Sequence, residues 1–253
     1  MNLQIGTSGY SFDSWQGIFY PPGLARKDRL DFYARHFNVV EINATFYGLI
    51  PSTAFGHMAD KTGEGFGFVV KANRKTTHER GDREVADRFR EAVLPLIEAG
   101  KFQGVLAQFP WSFRNTPTNR AYLEACRERM GDLPYFAEFR HRSWLTPEAQ
   151  ELLERSRIGF VCVDEPQIGG MMPPVIQATT DIGYIRLHGR NAKTWWGDGP
   201  RYDYFYSLRE LKGWGRKAKD LAEKTQKTFL FFNNCHVGQA VKNAQILQRM
   251  LEL

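Results

Sequence analysis

Residues 228–234 read Thr-Phe-Leu-Phe-Phe-Asn-Asn, a short apolar run that ends in two amide side chains. Seven other short apolar segments also end in polar or ionisable residues. They are Leu3–Gly6 before Thr7, Val39-Val40 before Glu41, Gly67–Val70 before Lys71, Val105–Ala107 before Gln108, Tyr135–Ala137 before Glu138, Phe160–Val163 before Asp164, and Tyr184-Ile185 before Arg186. Helix-like stretches separate most of these segments, and eight strand–helix repeats make a (β/α)8 TIM barrel. The sequence therefore predicts an α/β, TIM-barrel-like fold.

The length of the chain agrees with one barrel, since its 253 residues are close to the roughly 250 of a typical example. We expect a single domain over residues 1–253. The sixth connection, Glu165–Thr180, holds three prolines and two adjacent glycines without a helical period, so we expect an irregular segment there. An open doubly wound sheet is the competing fold, but residues 6–10 lack the third glycine of a dinucleotide-binding turn.

Helical spacing of apolar residues recurs in most of the other connections. Thr146 is placed to cap one of these helices, with Pro147 at its first position. Pro95 is placed to kink another. The predicted helices are Asp28–Phe37, Pro51–Lys61, Asp82–Ala99, Thr118–Met130, Pro147–Arg155, Tyr204–Lys224 and Val237–Leu251.

Composition and charge limit the compartment and the partners. The formal net charge is +6, which favours anionic partners such as nucleic acid or a phosphorylated small molecule, although solubility alone also explains it. The N-terminus lacks a basic region followed by a long apolar run, and no apolar run approaches the ~20 residues of a membrane span. Three cysteines at no metal-site spacing indicate reduced thiols. We expect a cytoplasmic protein without a membrane partner, and the oligomeric state stays open.

The strand ends predict a polar site at one face of the barrel. Side chains two residues apart on a strand share a face, so Glu138 lies with Arg140, and Arg186 with His188. Ligand-binding and catalytic groups of TIM barrels gather at this carboxyl end. The alternative is a structural network of ion pairs that closes the barrel. The candidate catalytic residues are Glu41, Glu138, Asp164 and His188, and the strand-end binding candidates are Lys71, Gln108, Arg140, Arg186, Asn233 and Asn234.

Two loops add basic and aromatic groups. The loop after the seventh strand holds Arg190 with Trp195-Trp196, and the loop after the second strand holds Tyr47. Arginine binds phosphate, and tryptophan offers a flat face for a base or a sugar. The alternative is that the tryptophans only pack the loop onto the barrel rim. His78, in the loop after the third strand, is either an acid–base group or a solvated histidine.

A divalent metal is a further expectation that the residues leave open. Glu41, Glu138, Asp164 and His188 carry oxygen and nitrogen ligands that suit Mg, Mn or Zn. The sequence has no His-Glu-x-x-His motif, and few of its histidines lie at strand ends. The cofactor and the metal therefore stay unknown.

Motifs along nearly the whole chain resemble the YecE-like family, catalogued as domain-of-unknown-function family 72. They are residues 6–10 (GTSGY), 15–21 (WQGIFYP), 40–47 (VEINATFY), 68–71 (FVVK), 77–78 (TH), 106–110 (LAQFP), 138–144 (EFRHRSW), 186–190 (RLHGR) and 232–235 (FNNC), with Gly238, Ala240, Asn243 and Ala244. The resemblance implies a TIM-barrel-like fold. That barrel looks like those of the endonuclease IV and xylose isomerase-like group, which implies nucleic acid or sugar substrates by fold analogy. The zinc-ligand histidines of endonuclease IV are mostly absent from this sequence.

Three functions are consistent with these patterns. The leading hypothesis is a barrel that binds a phosphate-bearing ligand, with nucleic acid first, and that acts as a carboxylate-dependent, nuclease-like hydrolase if it is an enzyme. The second is a sugar or sugar-phosphate isomerase, epimerase or lyase, in which Glu41 and Glu138 flank a sugar carbon beside Lys71. The third is a binding barrel without catalysis. In the leading hypothesis Glu138 or Glu41 is the general base or a metal ligand, and His188 is the general acid. The anionic oxygens of the ligand bind to Lys71, Arg140, Arg186 and Arg190. Its bases stack on Trp144, Trp195 and Trp196.

Overall fold

Eight parallel strands form a nearly closed barrel in the computed structural model, which describes residues 2–81, 84–197 and 199–253. The order of strands around the sheet is β1-β8-β7-β6-β5-β4-β3-β2, so each strand lies beside its neighbour in sequence. This order confirms the predicted TIM-barrel-like fold. The strands are β1 Leu3–Thr7, β2 Val39–Ile42, β3 Gly67–Lys71, β4 Phe102–Gln108, β5 Tyr135–Glu138, β6 Ile158–Asp164, β7 Ile182–Leu187 and β8 Lys227–Phe232.

Within the described ranges of the chain, seven α-helices surround the strands, six in the connections and one after β8. The predicted helix over residues 28–37 is shorter than expected, and residues 82 and 83, where the third helix was predicted to begin, lie outside the described residues. No helix in the described part of the chain is long and apolar enough to cross a membrane. The helices are α1 Arg29–Tyr33, α2 Ser52–Asp60, α3 Glu84–Glu98, α4 Pro117–Arg129, α5 Pro147–Arg155, α6 Leu208–Ala222 and α7 Gln239–Leu251.

Capping residues fix where two of these helices begin. Thr146 accepts a hydrogen bond from the Ala149 amide and caps α5, as the sequence predicts. The helix predicted from Tyr204 begins only at Leu208, because Ser207 and Glu210 form a capping box at that point. The segment before Ser207 is thereby left outside the helix and follows the barrel rim.

The sixth connection has no helix among its residues, which confirms the predicted irregular segment. It is held instead by backbone contacts to the segment that follows β5. The Met172 amide donates to the Arg140 carbonyl at 3.1 Å, and Met171 forms an isolated bridge with His141. These contacts bring residues 165–172 back over the mouth of the barrel.

A tyrosine hydroxyl joins the two strands at which the sheet is incompletely paired. Between β1 and β2 the described pairing is limited to a bridge from Ser8 to Glu41. The Tyr33 hydroxyl from α1 accepts from the Thr7 amide at 2.9 Å and donates to the Val39 carbonyl at 3.2 Å. These bonds satisfy backbone groups that the missing ladder would otherwise leave unpaired in the interior.

Aromatic side chains fill the amino-terminal half of the barrel interior. Phe136 of β5 lies 4.9 Å from Tyr184 of β7, and Tyr184 lies 5.4 Å from Phe231 of β8, measured between ring centroids. Such stacked layers close the interior, so the barrel is a packed core without a channel. Ligands therefore have access to the strand ends only from the carboxyl face.

Candidate functional site

A buried arginine lies at the centre of the next layer of the barrel. Arg186 donates from Nε and Nη2 to the two carboxylate oxygens of Glu41, at 2.8 and 2.6 Å, and from Nη1 to Glu138 Oε2 at 2.5 Å. The Tyr184 hydroxyl donates to Glu41 Oε2 at 2.7 Å. All four side chains are at most 1 % exposed. Each of the three charged side chains lies where the hydrophobic segment of its strand ends. The charged groups are therefore in contact with the aromatic layer below.

A second arginine extends this layer towards the mouth. Arg140 Nη2 lies 2.6 Å from Glu138 Oε1, and Arg140 Nη1 donates to Glu165 Oε2 at 2.5 Å. Glu165 also accepts from the Met172 amide at 3.2 Å, so the sixth connection is tied to the same cluster. We call Glu41, Glu138, Arg140, Glu165 and Arg186 the ionic cluster.

Glu165 was not predicted as a site residue, although its position carries a signal. Neighbouring residues at a strand end point to opposite sides. Asp164 faces outward and accepts from Arg190 Nε at 2.9 and 3.1 Å, so Glu165 faces the interior. Either carboxylate could have been the inward one when only the sequence was considered.

Burial and the arginines shift the pKa values of the cluster in different directions. Burial opposes the charge of Glu138, yet the Arg140 and Arg186 guanidinium groups hold the pKa of Glu138 well below its ordinary value. Glu165 has one arginine and a nearby like charge, and burial raises its pKa to about 7. Glu138 is therefore ionised at neutral pH, whereas Glu165 titrates there.

His188 is a neutral imidazole in this setting. Burial and the positive charge of Arg140 lower its pKa to about 3. Nε2 lies 3.3 Å from Glu138 Oε1 without hydrogen-bond geometry, and Nδ1 lies 2.9 Å from the Asn233 amide nitrogen. The ring is therefore neutral at pH 7, and the acid role of His188 stays a prediction.

Above the ionic cluster lies a cavity of about 410 Å³ at the carboxyl face of the barrel. Four basic side chains line it, and none of the described residues around it is Asp or Glu. The lining comes from the connections after strands β2 to β7. It consists of Phe46, Tyr47, Lys71, Arg74, His78, Gln108, Pro110, Trp111, Arg140, Met171, Trp195, Trp196, Arg201 and Tyr202.

Lys71 projects into this cavity from the end of β3. Its Nζ donates to Gln108 Oε1 at 3.0 Å and lies 4.3 Å from the centroid of the Phe46 ring. Burial, aided by the positive charge of Arg186, lowers the pKa of Lys71 to about 7. His78 lies in the turn after β3, where burial and then Lys71 lower its pKa to about 4.

Aromatic rings form the wall and the rim of the cavity. Trp195 contacts two guanidinium groups, with the carbon of Arg140 5.6 Å and that of Arg201 5.4 Å from its ring centroid. Trp196 and Tyr47 are 58 % and 80 % exposed, so both rings present open faces to solvent. The cavity thus offers both cation–π pairs and open ring faces.

Most of the predicted site residues lie either in the cavity or beneath it. Those in the cavity are Lys71, Gln108, Arg140, Tyr47, Trp195 and Trp196. Beneath it, without lining it, lie Glu41, Glu138, Arg186, His188 and Asn233. Of the lining residues that were not predicted, Arg74 and Arg201 each lie at the edge of a loop that the sequence did single out.

Four predicted site residues lie away from the cavity, which corrects their expected positions. Trp144 is 1 % exposed, stacks on Phe139 at 4.1 Å and donates to the Phe113 carbonyl, so it has no free face for a base. Asn234 donates to Asn243 and to a backbone carbonyl. Asp164 and Arg190 pair with each other on the outer side of the strands.

The carboxylates proposed as metal ligands do not assemble into one group. Among the described residues, no set of three or more His, Cys, Asp or Glu side chains is arranged to hold a metal ion. Glu41 and Glu138 accept from Arg186, while Asp164 accepts from Arg190. The predicted set of Glu41, Glu138, Asp164 and His188 is therefore separated between two sides of the sheet.

The fold and the site define a parallel α/β barrel with an ion-paired interior beneath a basic, aromatic cavity. The chain belongs to the family described as "Protein of unknown function DUF72", whose profile matches residues 4–253. It is 35% identical to the UPF0759 protein YunF of Bacillus subtilis (strain 168) over 273 aligned residues, which cover 99% of this chain and 95% of that protein. The family resemblance seen in the motifs is thereby confirmed.

Solved structures of DUF72 family proteins agree with the architecture. The one from Thermotoga maritima MSB8 is 39% identical, covers 100% of both chains and has a TM-score of 0.91. One from Enterococcus faecalis V583 is 27% identical, covers 99% of this chain and 96% of its own, and has a TM-score of 0.88. These likenesses support the barrel along the whole chain.

Proposed function

We propose that the chain binds a phosphate-bearing ligand, first of all nucleic acid, in the cavity at the carboxyl face. The observation that carries the proposal is the lining itself, where basic and aromatic side chains converge without a carboxylate among the described residues. A volume of about 410 Å³ falls in the range of small-molecule sites. We infer that one nucleotide-sized unit enters the cavity while the rest of the ligand lies across the rim.

Three arginines are the proposed contacts for the phosphate. Arg140 is fixed by Glu138 and Glu165, so its guanidinium is already oriented before a ligand arrives. Arg74 and Arg201 line the more open side of the cavity. Arg74 also pairs with Glu79 at 2.7 Å, but this pair is exposed and worth little, so a phosphate competes with it.

The exposed rings are the proposed contacts for the base. Trp196 and Tyr47 present open faces at the rim, and Trp111 lies 6.2 Å from Trp196 in an edge-on arrangement. Stacking of a base on such a ring contributes roughly 1–3 kcal/mol and tolerates any base. The expected selectivity is therefore for unpaired bases and not for a particular sequence.

The geometry supports binding better than phosphodiester hydrolysis. Hydrolysis requires a base or a metal at the phosphate. Glu41 and Glu138 lie under the floor of the cavity and are occupied by Arg186. The sugar isomerase alternative meets the same obstacle, since a guanidinium fills the space between the two carboxylates where a sugar carbon would lie.

Equilibrium binding of end-labelled oligonucleotides tests the proposal. Single-stranded, duplex and abasic DNA and RNA are compared, with Mg²⁺, Mn²⁺ or Zn²⁺ and without metal. We expect Trp196→Ala to weaken single-strand binding by roughly 5- to 150-fold, equivalent to the loss of one stacked base. Arg155→Gln, which alters an exposed pair on α5, is the matched control and should bind as the wild type does.

Two outcomes would overturn or extend this proposal. Equal affinity of Trp196→Ala, Arg201→Gln and the wild type would show that the cavity is not the nucleic-acid site. Cleavage that is lost in Glu138→Gln, in a variant that still binds and still unfolds cooperatively, would add hydrolysis to binding.

A further inference from the structure

Lys71 is a half-buried side chain whose amine has no carboxylate partner among the described residues. Among the described residues, no Asp or Glu oxygen lies within 4.0 Å of its Nζ, the distance limit for an ion pair. Nζ instead contacts Gln108 and the ring of Phe46. Glu41 on the adjacent strand β2 and Glu138 on β5 are both bound by arginines. A lysine in such a position is unusual, because a buried charge is ordinarily paired.

The surroundings of Lys71 disfavour its ammonium form. Burial lowers its pKa to about 7, and two arginines add to the effect, whereas two glutamates oppose it. Roughly one in two of these amines is then neutral at pH 7, against about one in 2,500 for a lysine with an ordinary pKa of 10.4. The charged and titratable groups that face it are Arg140, Arg186, Glu41 and Glu138, with His78 on the turn after β3.

We propose that Lys71 is a nucleophile that forms an imine with an aldehyde carried by the phosphate-bearing ligand. A lysine that is desolvated beside other cations is the usual form of an imine-forming residue. The proposal rests on the proposed function, since the arginines that line the same cavity would hold the phosphate while the aldehyde carbon lies at Nζ. The ligand class is a phosphorylated aldehyde, which is either the open form of a free sugar phosphate or the deoxyribose of an abasic site.

Formation of the imine from the amine and the aldehyde requires no further reagent. The lone pair of the neutral amine attacks the carbonyl carbon, and the carbonyl electrons move to oxygen, which gains a proton as the nitrogen loses one. Loss of water from this carbinolamine forms the carbon–nitrogen double bond of the imine. Cyanoborohydride then donates a hydride to the imine carbon while the nitrogen takes a proton from water, which gives a stable secondary amine that can be measured.

The test is reductive trapping followed by peptide mapping on the full-length wild-type chain. The probes are deoxyribose 5-phosphate, an abasic oligonucleotide, and unphosphorylated deoxyribose as the control aldehyde, each with cyanoborohydride. We expect Lys71 to be labelled at pH 7 on the order of 1,000-fold faster than surface lysines, because its neutral fraction is larger by that factor. Inorganic phosphate should compete, and the control aldehyde should label Lys71 more slowly.

Variants and pH separate a specific imine from random modification. Lys71→Met should abolish the adduct, while Lys212→Met, at an exposed lysine on α6, should retain it. The rate of labelling should rise through pH 7, where the pKa of Lys71 lies, and not only near 10. Mapping on the wild type needs no variant, so a Lys71→Met protein that does not fold leaves the test intact.

Different results would contradict the imine on Lys71 and the binding of nucleic acid in the cavity. Labels spread over surface lysines with Lys71 unmodified would overturn the imine, even if the oligonucleotides bind as proposed. If no form of oligonucleotide binds but deoxyribose 5-phosphate still labels Lys71, the imine is supported and its ligand is a small sugar phosphate. Preference for the abasic oligonucleotide would assign it to nucleic acid.

Discussion

Arg186 has the most demanding environment of any residue in the ionic cluster. It is 1 % exposed and binds two carboxylates from different strands, one through two of its nitrogens. The guanidinium fork suits such an arrangement because it is planar, always charged and able to bind two oxygens at once. Removal of this one side chain leaves Glu41 without its arginine partner and takes one of two arginines from Glu138 in the barrel interior.

We therefore predict that Arg186→Met destabilises the protein severely. The free energy of unfolding should fall by about 3–5 kcal/mol, as is typical when one partner of a buried ion pair is removed. Urea denaturation measures the change. Arg155→Met is the control, since its pair with Glu124 is exposed and should contribute no more than about 1 kcal/mol. Similar losses in both variants would contradict a central role for Arg186.

His188 makes the stability of the protein depend on pH. Its pKa is about 3 in the folded state, below the ordinary 6.5, so the unfolded chain takes up the proton first. The stability that neutral His188 contributes is complete above pH 6.5 and is lost as the pH falls towards 3. Between pH 7 and pH 5, the wild type should lose more free energy of unfolding than His188→Gln does.

Denaturation at both pH values checks this, with His57→Gln at an exposed histidine of α2 as the control. Parallel losses in the wild type and His188→Gln would show that His188 titrates normally and is free to act as an acid. An imidazole signal that titrates near pH 6.5 in NMR would give the same answer.

For single residues, the sequence predicts which side chains face the barrel interior but not which of them pair with one another. Alternation along β5 and β7 correctly brings Glu138, Arg140, Arg186 and His188 to the barrel interior. The bond from Arg186 to Glu41 joins residues 145 positions apart, and nothing local specifies it. Sequence alone therefore left open whether these charges face a ligand or one another, and the structure shows that they bind one another beneath the cavity.

At the scale of the elements, the barrel depends on how β1 meets β2. Gly6 allows the close approach, because a Cβ there would lie 2.3 Å from the Val39 carbonyl oxygen. Tyr33 then bridges the strands through its hydroxyl. Glu41 is on β2, so this seam also positions one side of the ionic cluster.

We predict that Tyr33→Phe costs about 1–3 kcal/mol of unfolding free energy, because it leaves the Thr7 amide and the Val39 carbonyl without their partner. Thermal or urea denaturation measures it. Tyr47→Phe removes a hydroxyl from an exposed ring and serves as the control. Equal stability of the two variants would show that the hydroxyl does not join the strands.

Most elements were predictable because their signals are local. Thr146 and Pro147 correctly mark the beginning of α5, and the prolines and glycines of residues 165–180 correctly exclude a helix. The start of α6 was placed too early, since Tyr204 and Tyr206 continue an apolar pattern but pack on the barrel rim. Their backbone groups are held by Gln239 and Asn243 of α7, contacts that only the tertiary structure reveals.

Over the whole molecule, the charges are separated by depth. The carboxylates of the ionic cluster are buried and compensated, while the cavity above them is lined with basic groups. The formal net charge of +6 agrees with this separation but does not locate it. The basic side chains come from the end of β3 and from the connections after β3, β5 and β7, so only the barrel brings them together.

The salt dependence of oligonucleotide binding shows directly whether phosphates bind to the arginines of the cavity. The affinity of a short single-stranded oligonucleotide is measured between low and physiological salt for the wild type and for the Arg74→Gln/Arg201→Gln double variant. Each phosphate contact contributes about 0.7 to the slope of log affinity against log salt for single strands, so we predict that the slope falls by roughly 1.4 in the double variant. An unchanged slope would contradict phosphate binding in the cavity.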